Sequence, residues 1–166
     1  MKMPRNLLML FLLTAVALPL VGCSSEKLPP GMPPPVPTEI TVMQGGNPLG
    51  GAVVRLQPVD DSPWTAMGRT DASGRAIVYT MDRFRGAVPG RHKVTVSKTE
   101  MDAPPPPRPS GETEGLALPS PASFNLVDAQ FMSAATTTLE IEAVRGTPTH
   151  TVDVGQAVRV RIEDRR

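Results

Sequence analysis

An all-β sandwich is the architecture this sequence predicts, on three observations. Residues 38–166 break into short runs in which apolar and polar side chains alternate, the period-two signature of half-buried strands. Glycine, proline, asparagine and aspartate punctuate these runs at close intervals, as turns require. No long run in this region carries apolar residues at 3.6-residue spacing, so no amphipathic helix competes for the same segments.

In chain order, the first strand is 39–43, with Ile40 and Val42 inward. Residues 44–51 are a glycine-rich turn containing Asn47 and Pro48. The second strand is 52–57, where Ala52, Val54 and Leu56 share a face; the loop 58–63 follows, and 64–69 is a third strand. The chain is organised around 68–98. Within it, Thr70 to Gly74 is turn chemistry: the Asp71 carboxylate accepts backbone N–H groups, and Gly74 tolerates a positive φ. In 75–80 both faces are apolar, Ala76 and Val78 on one and Ile77 and Tyr79 on the other, which predicts a central strand. Residues 83–89 form a loop, and Pro89 followed by Gly90 suits a type II turn. His92, Val94 and Val96 then take the inward phase of a strand whose other face, Lys93, Thr95 and Ser97, is wet.

Residues 102–123 are a proline-rich insertion, expected to be a long loop without strand or helix because proline lacks the donor N–H. The run 125–132 is ambiguous between a short strand and a helical turn. Residues 136–144 are a strand with Leu139, Ile141 and Ala143 inward; after a turn at 145–148, residues 149–154 pair back, with Val152 and Val154 inward. A last strand alternates Val158, Val160 and Ile162 with Arg159, Arg161 and Glu163, whose charges guard an edge against aggregation.

The N-terminus gives an address. Lys2 and Arg5 precede an apolar run over 7–20, and Leu20, Val21 and Gly22 lead into Cys23, the one cysteine of the chain. As a helix, 7–22 would rise only about 24 Å, short of a ~30 Å hydrocarbon core. Pro19 also interrupts it. Residues 1–22 therefore read as a signal peptide rather than a membrane span. The stretch resembles a bacterial lipoprotein signal. That resemblance implies cleavage before Cys23, a diacylglyceryl thioether on its sulfur and acylation of the new amine. By the same analogy Ser24 implies an outer-membrane lipoprotein in the cell envelope. Two or three acyl chains make a durable anchor where one does not. Residues 23–37 are then the lipidated cysteine and a tether, whose prolines at 29, 30, 33, 34, 35 and 37 favour a semi-rigid polyproline spacer. The spacer is expected to hold the domain away from the bilayer.

Three motifs carry a resemblance: Pro48 to Val54 (PLGGAVV), Gly68 to Gly74 (GRTDASG) and Gly86 to Val96 (GAVPGRHKVTV). In this order and spacing the chain resembles the carboxypeptidase regulatory-like family, over roughly 38–154, and is similar to the small lipoproteins of that type in planctomycete-like bacteria. The resemblance implies a transthyretin-like, prealbumin-like Greek-key β-sandwich of about seven strands. His92 stands where that family usually has tyrosine.

No catalytic constellation is legible. A zinc site wants three or four ligands; the chain has two histidines, and Cys23 is assigned to lipid. His92 reads as a packed core residue and His150 as a solvated one beside a turn. Asp60 and Asp61 are too few oxygens for calcium and read as a solvated acidic loop. The family's carboxypeptidase chemistry belongs to a separate domain. The Tyr-Arg-Gly-Ser ending of related hydroxyisourate hydrolases is absent, since this chain closes on Ile162-Glu163-Asp164-Arg165-Arg166. A formal net charge of +1 argues against a nucleic-acid partner. No catalytic residue, metal or cofactor is expected. The membrane, through Cys23, is the first partner, and an unknown protein or glycan is the second, met through loops 58–64 and 102–123. Trp64, the single tryptophan, is the weak ligand-binding candidate, because an exposed indole stacks on sugars whereas a buried one merely packs. The expected function is a non-catalytic structural or protein-interaction module. A carbohydrate-binding surface module is the alternative, and a small hydrolase using His92 or His150 is a third reading.

Overall fold

The computed structural model of the chain describes residues 27–102 and 121–162. Residues 1–26, 103–120 and 163–166, and with them the expected signal peptide 1–22, the expected lipidation site Cys23 and most of the insertion, lie outside the described residues. Within them the fold is all-β, without an α-helix.

The strands, in order, are β1 (Glu39–Gln44), β2 (Asn47–Pro48), β3 (Val53–Pro58), β4 (Ala66–Arg69), β5 (Arg75–Ile77), β6 (Tyr79–Thr80), β7 (Phe84–Arg85), β8 (Gly90–Ser97), β9 (Thr99–Met101), β10 (Ser123–Asn125), β11 (Glu140–Ala143), β12 (Thr149–Asp153) and β13 (Val160–Ile162). They build three open sheets. The largest runs β11-β8-β3-β4-β6-β7, a second runs β12-β1-β2 with β5 also on β1, and a small third runs β13-β10-β9. All pairings between these strands are antiparallel except β1 with β12, which is parallel and sets Ile40 opposite His150.

One core joins the two larger sheets. Ile40 and Val42 from β1, Val54 and Leu56 from β3, and Val94 and Val96 from β8 are fully buried, together with Val78, Val127 and Val154. Each such side chain contributes about 1.5–3 kcal/mol of burial, enough to lock the strand phases. Ala52, Ala66, Ala76 and Ala143 are also fully buried. Thr70 seals one end. Its Oγ1 donates to the Leu49 carbonyl at 2.7 Å and accepts from the Ala52 N–H at 2.8 Å.

The structure corrects several expectations. The single central strand over 75–80 is two strands in different sheets: β5 pairs with β1, the chain turns at buried Val78, and β6 pairs with β4. Ile77 and Tyr79 therefore face outward, 39% and 38% exposed. Residues 149–154 do not pair back on β11. β11 pairs with β8 and β12 crosses to β1, where the Pro148 carbonyl accepts the Glu39 N–H. The final strand lies outside the core, in the small sheet, with Val160 and Ile162 exposed. The described residues form thirteen short strand segments in three sheets, more pieces than the expected seven or so strands, because bends and crossings divide the runs. The turn 44–51 contains the short β2, and the strand at 136–144 begins at Glu140. Before it, Thr137 is buried and its Oγ1 donates to the Val94 carbonyl.

The insertion 102–123 is bounded by strands: β9 and β10 form an antiparallel stem, closed where the Asp102 N–H meets the Ala122 carbonyl. The ambiguous run 125–132 resolves into the end of β10 and a 3₁₀ turn over Ala129–Phe131. The Asp128 side chain caps this turn by accepting from the Gln130 N–H.

Residues 28–37 change the reading of the tether. Met32 and Val36 are buried. Val36 and Ala87 exchange backbone hydrogen bonds of 2.8 and 3.1 Å. Met32 joins Phe84 and Val88 in a second apolar cluster, against which Leu28 and Trp64 pack. From Leu28 onward this stretch is laid on the body rather than standing free of it. Gly86 makes that approach possible. It sits at φ +103, and a Cβ there would overlap the Val36 carbonyl.

Candidate functional site

A groove of about 780 Å³ lies on the outer surface where the two larger sheets meet. It exists because the chain crosses between sheets at Val78. β5 leaves along β1 and β6 along β4, and the side chains of Ile77 and Tyr79 splay outward on either side of the crossing. β4 comes close at this point only because residue 68 is glycine; a Cβ there would run into the Ile77 carbonyl. Val53, Met67, Ile77 and Tyr79 make an apolar floor. The rim is charged and mixed in sign, with Arg69 and Arg75 against Glu39, Asp71 and Asp82.

The rim is partly tied down. Arg75 binds the Glu39 carboxylate through Nη2 at 2.7 Å and Nε at 2.8 Å. Asp71 works as its turn chemistry predicts. Its Oδ1 accepts from the Ser73 N–H (2.8 Å), the Ser73 hydroxyl (2.6 Å) and the Arg75 N–H (3.0 Å). The Ser73 hydroxyl, first among these donors, holds the Asp71 carboxyl below its ordinary range. Nothing among the groove's described lining is an imidazole, a thiol or a serine hydroxyl. What it offers is contact: an apolar floor with alternating charges at its lip, suited to an extended polypeptide.

The residues singled out from sequence do not converge. Trp64 is half-buried against the Met32, Phe84 and Val88 cluster, away from the groove's lining. His92 is fully buried, as its strand phase predicts, with Nδ1 3.0 Å from the Gly90 carbonyl and Nε2 without a partner. Burial lowers its pKa, the Gly90 carbonyl and the charge of Asp60 pulling weakly the other way. His150 lies on β12 opposite Ile40 of β1 and is half-buried rather than fully solvated; its Nε2 is shielded and has no hydrogen-bond partner. Among the described residues neither imidazole is hydrogen-bonded to a carboxylate, the partner that commonly orients a hydrolytic histidine. Among the described residues no group of three or more histidine, cysteine, aspartate or glutamate side chains is placed to hold a metal. No described helix is long and apolar enough to cross a membrane.

The stem of the insertion is a second feature. Arg159, just before β13, stacks its guanidinium 3.7 Å from the Phe124 ring centroid and binds Asp102 at 3.0 Å. Glu100 lies 3.9 Å from the same guanidinium. This clamp fixes the base from which 103–120 departs, so the structure ties the C-terminal strand to the loop named as a contact surface. The groove itself escaped the sequence reading. Its one signal in the sequence is the apolar outer face of 75–80, which alternation alone does not distinguish from the second face of a buried strand. Compared with known proteins, the chain matches no family model, no curated protein and no solved structure.

Proposed function

We propose that the chain is a lipid-anchored, non-catalytic domain of the bacterial cell envelope, acting as a structural or protein-interaction module. The observation that carries this reading is the apolar run 7–20 ending in Leu20-Val21-Gly22-Cys23, set directly before an all-β body. Within the proposal the body is a transthyretin-like Greek-key sandwich of the carboxypeptidase regulatory-like kind. The Asp71 turn, the crossing at Val78 and the core shared by two sheets support that assignment. The partner is a protein segment received in the groove of Met67, Ile77 and Tyr79, or held by the arm built on β9 and β10. Trp64 is half-buried against the Met32, Phe84 and Val88 cluster, which leaves a glycan only part of the ring and favours the protein reading.

Mass spectrometry of the N-terminal peptide from the native host tests the anchor. The expected peptide begins at Cys23 and carries the mass of a diacylglyceryl group and an acyl chain. A soluble protein with residues 1–22 still attached refutes it. Cross-linking in envelope fractions, with and without Ile77→Asp, tests the groove; identical partners in both would remove it.

A further inference from the structure

We infer that the end of the sandwich carrying Leu28, Trp64 and Met81 rests on the phospholipid bilayer that anchors Cys23, with Met81 and the Trp64 indole in the interfacial layer. The inference rests on the lipid-anchored reading above. Three observations carry it.

The first is chain length. Five residue steps separate Cys23 from Leu28, at most about 18 Å of extended chain. From Leu28 onward the chain is packed on the body. A domain of this size has a radius of gyration of about 13 Å, so so short a leash leaves the anchored end facing the membrane. The proline-rich stretch, once docked, fixes which end that is.

The second is backbone strain around the same place. Among the described residues, the non-glycine residues held at positive φ are Asp61 (+57°), Met81 (+55°) and Asp82 (+56°), all on the two loops beside Trp64. Met81 is the tip of the β6–β7 hairpin, and its N–H donates to the Thr65 carbonyl, next to Trp64. Such turns favour asparagine, aspartate and glycine. Methionine is a poor choice for the backbone and, at 53% exposed, gains little from packing. A bulky apolar side chain displayed in a disfavoured conformation is explained when it is displayed to something apolar.

The third is charge. The segments that make this end, 27–28, 59–65 and 81–84, carry two cations (Lys27, Arg83) and three carboxylates (Asp60, Asp61, Asp82), a formal charge of −1, so they hold no cationic cluster and the attraction to lipid is apolar rather than ionic. Tryptophan, with one wet edge and one greasy one, suits the headgroup boundary.

Trp64 is the only tryptophan, so its emission reports on this end alone. The lipidated protein, purified from native membranes, is reconstituted in phosphatidylcholine vesicles with or without spin-labelled lipid near the headgroup. The expected result is quenching of Trp64 by the labelled lipid, unchanged in high salt. Met81→Asn, which suits the left-handed backbone and keeps the charge, is expected to lose most of that quenching while still sedimenting with vesicles. Unquenched emission from protein that does sediment overturns the orientation and leaves the anchor standing. Protein that neither sediments nor carries an acyl mass overturns the anchor, and the orientation with it. Quenching that high salt abolishes, or that Met81→Asn leaves intact, also overturns the inference.

Discussion

Replacing Gly86 with alanine tests whether residues 28–37 belong to the folded body. Two penalties arise together. The backbone at φ +103 is a region that side-chain-bearing residues avoid, worth about 1–3 kcal/mol. The new methyl group would also overlap the Val36 carbonyl, so either the body or the docked segment must move. The segment is the weaker partner. Its attachment comprises the Val36–Ala87 pair of hydrogen bonds, about 1 kcal/mol each, and the burial of Met32 and Val36, about 1.5–3 kcal/mol each. The conformational entropy lost on ordering the segment opposes that attachment. Undocking is therefore the cheaper relief, and the expected outcome is a folded body with a released segment, about 3 kcal/mol less stable in all. Hydrogen exchange at the Val36 and Ala87 amides reads the release, and urea unfolding followed by Trp64 emission reads the total. Gly31→Ala is the control: it sits at φ +80 with open space around it, so it carries only a backbone penalty of about 1 kcal/mol. Equal losses in the two variants, with Val36 still protected in Gly86→Ala, would refute the steric reasoning.

Thr70→Val keeps the volume but strands the Ala52 N–H and the Leu49 carbonyl; a loss of about 2–3 kcal/mol in chemical denaturation is expected. His92 gives the stability a pH dependence of known sign. Its pKa is lowered in the folded state, chiefly by burial, so above about 6.5 both states are neutral and stability is full. As pH falls below that value the unfolded chain takes up the proton first, and stability declines until the folded-state pKa is passed. His92→Leu is expected to flatten the midpoint-against-pH curve below pH about 6.5, at the cost of the Nδ1 hydrogen bond to the Gly90 carbonyl, about 1 kcal/mol, while Nε2 has no partner to lose; an unchanged slope would assign the dependence elsewhere.

Much of the fold was legible in the order of the residues. Alternation placed Ile40 and Val42, Ala52, Val54 and Leu56, and His92, Val94 and Val96 on the buried side of their strands, where all are fully buried. Aspartate and serine spacing located the Asp71 turn, because an Asx turn is made by neighbours in sequence. The groove was not legible. Alternation over 75–80 is the same whether the strand stays in one sheet or bends between two, and the bend decides whether Ile77 and Tyr79 are core or surface.

What sequence alone determined is the class and the phase: strands rather than helices, and which side of each strand is greasy. The partners of those strands were decided by the tertiary structure, because pairing joins residues far apart in the chain and periodicity carries no information about distance. So β12 lies parallel to β1 rather than folding back on β11. For the same reason Val36 finds Ala87 across fifty-odd residues, a contact that hinges on Gly86 having no side chain. Local chemistry wrote the elements; the space left between them determined that the stretch carrying Met32 and Val36 lies against the body.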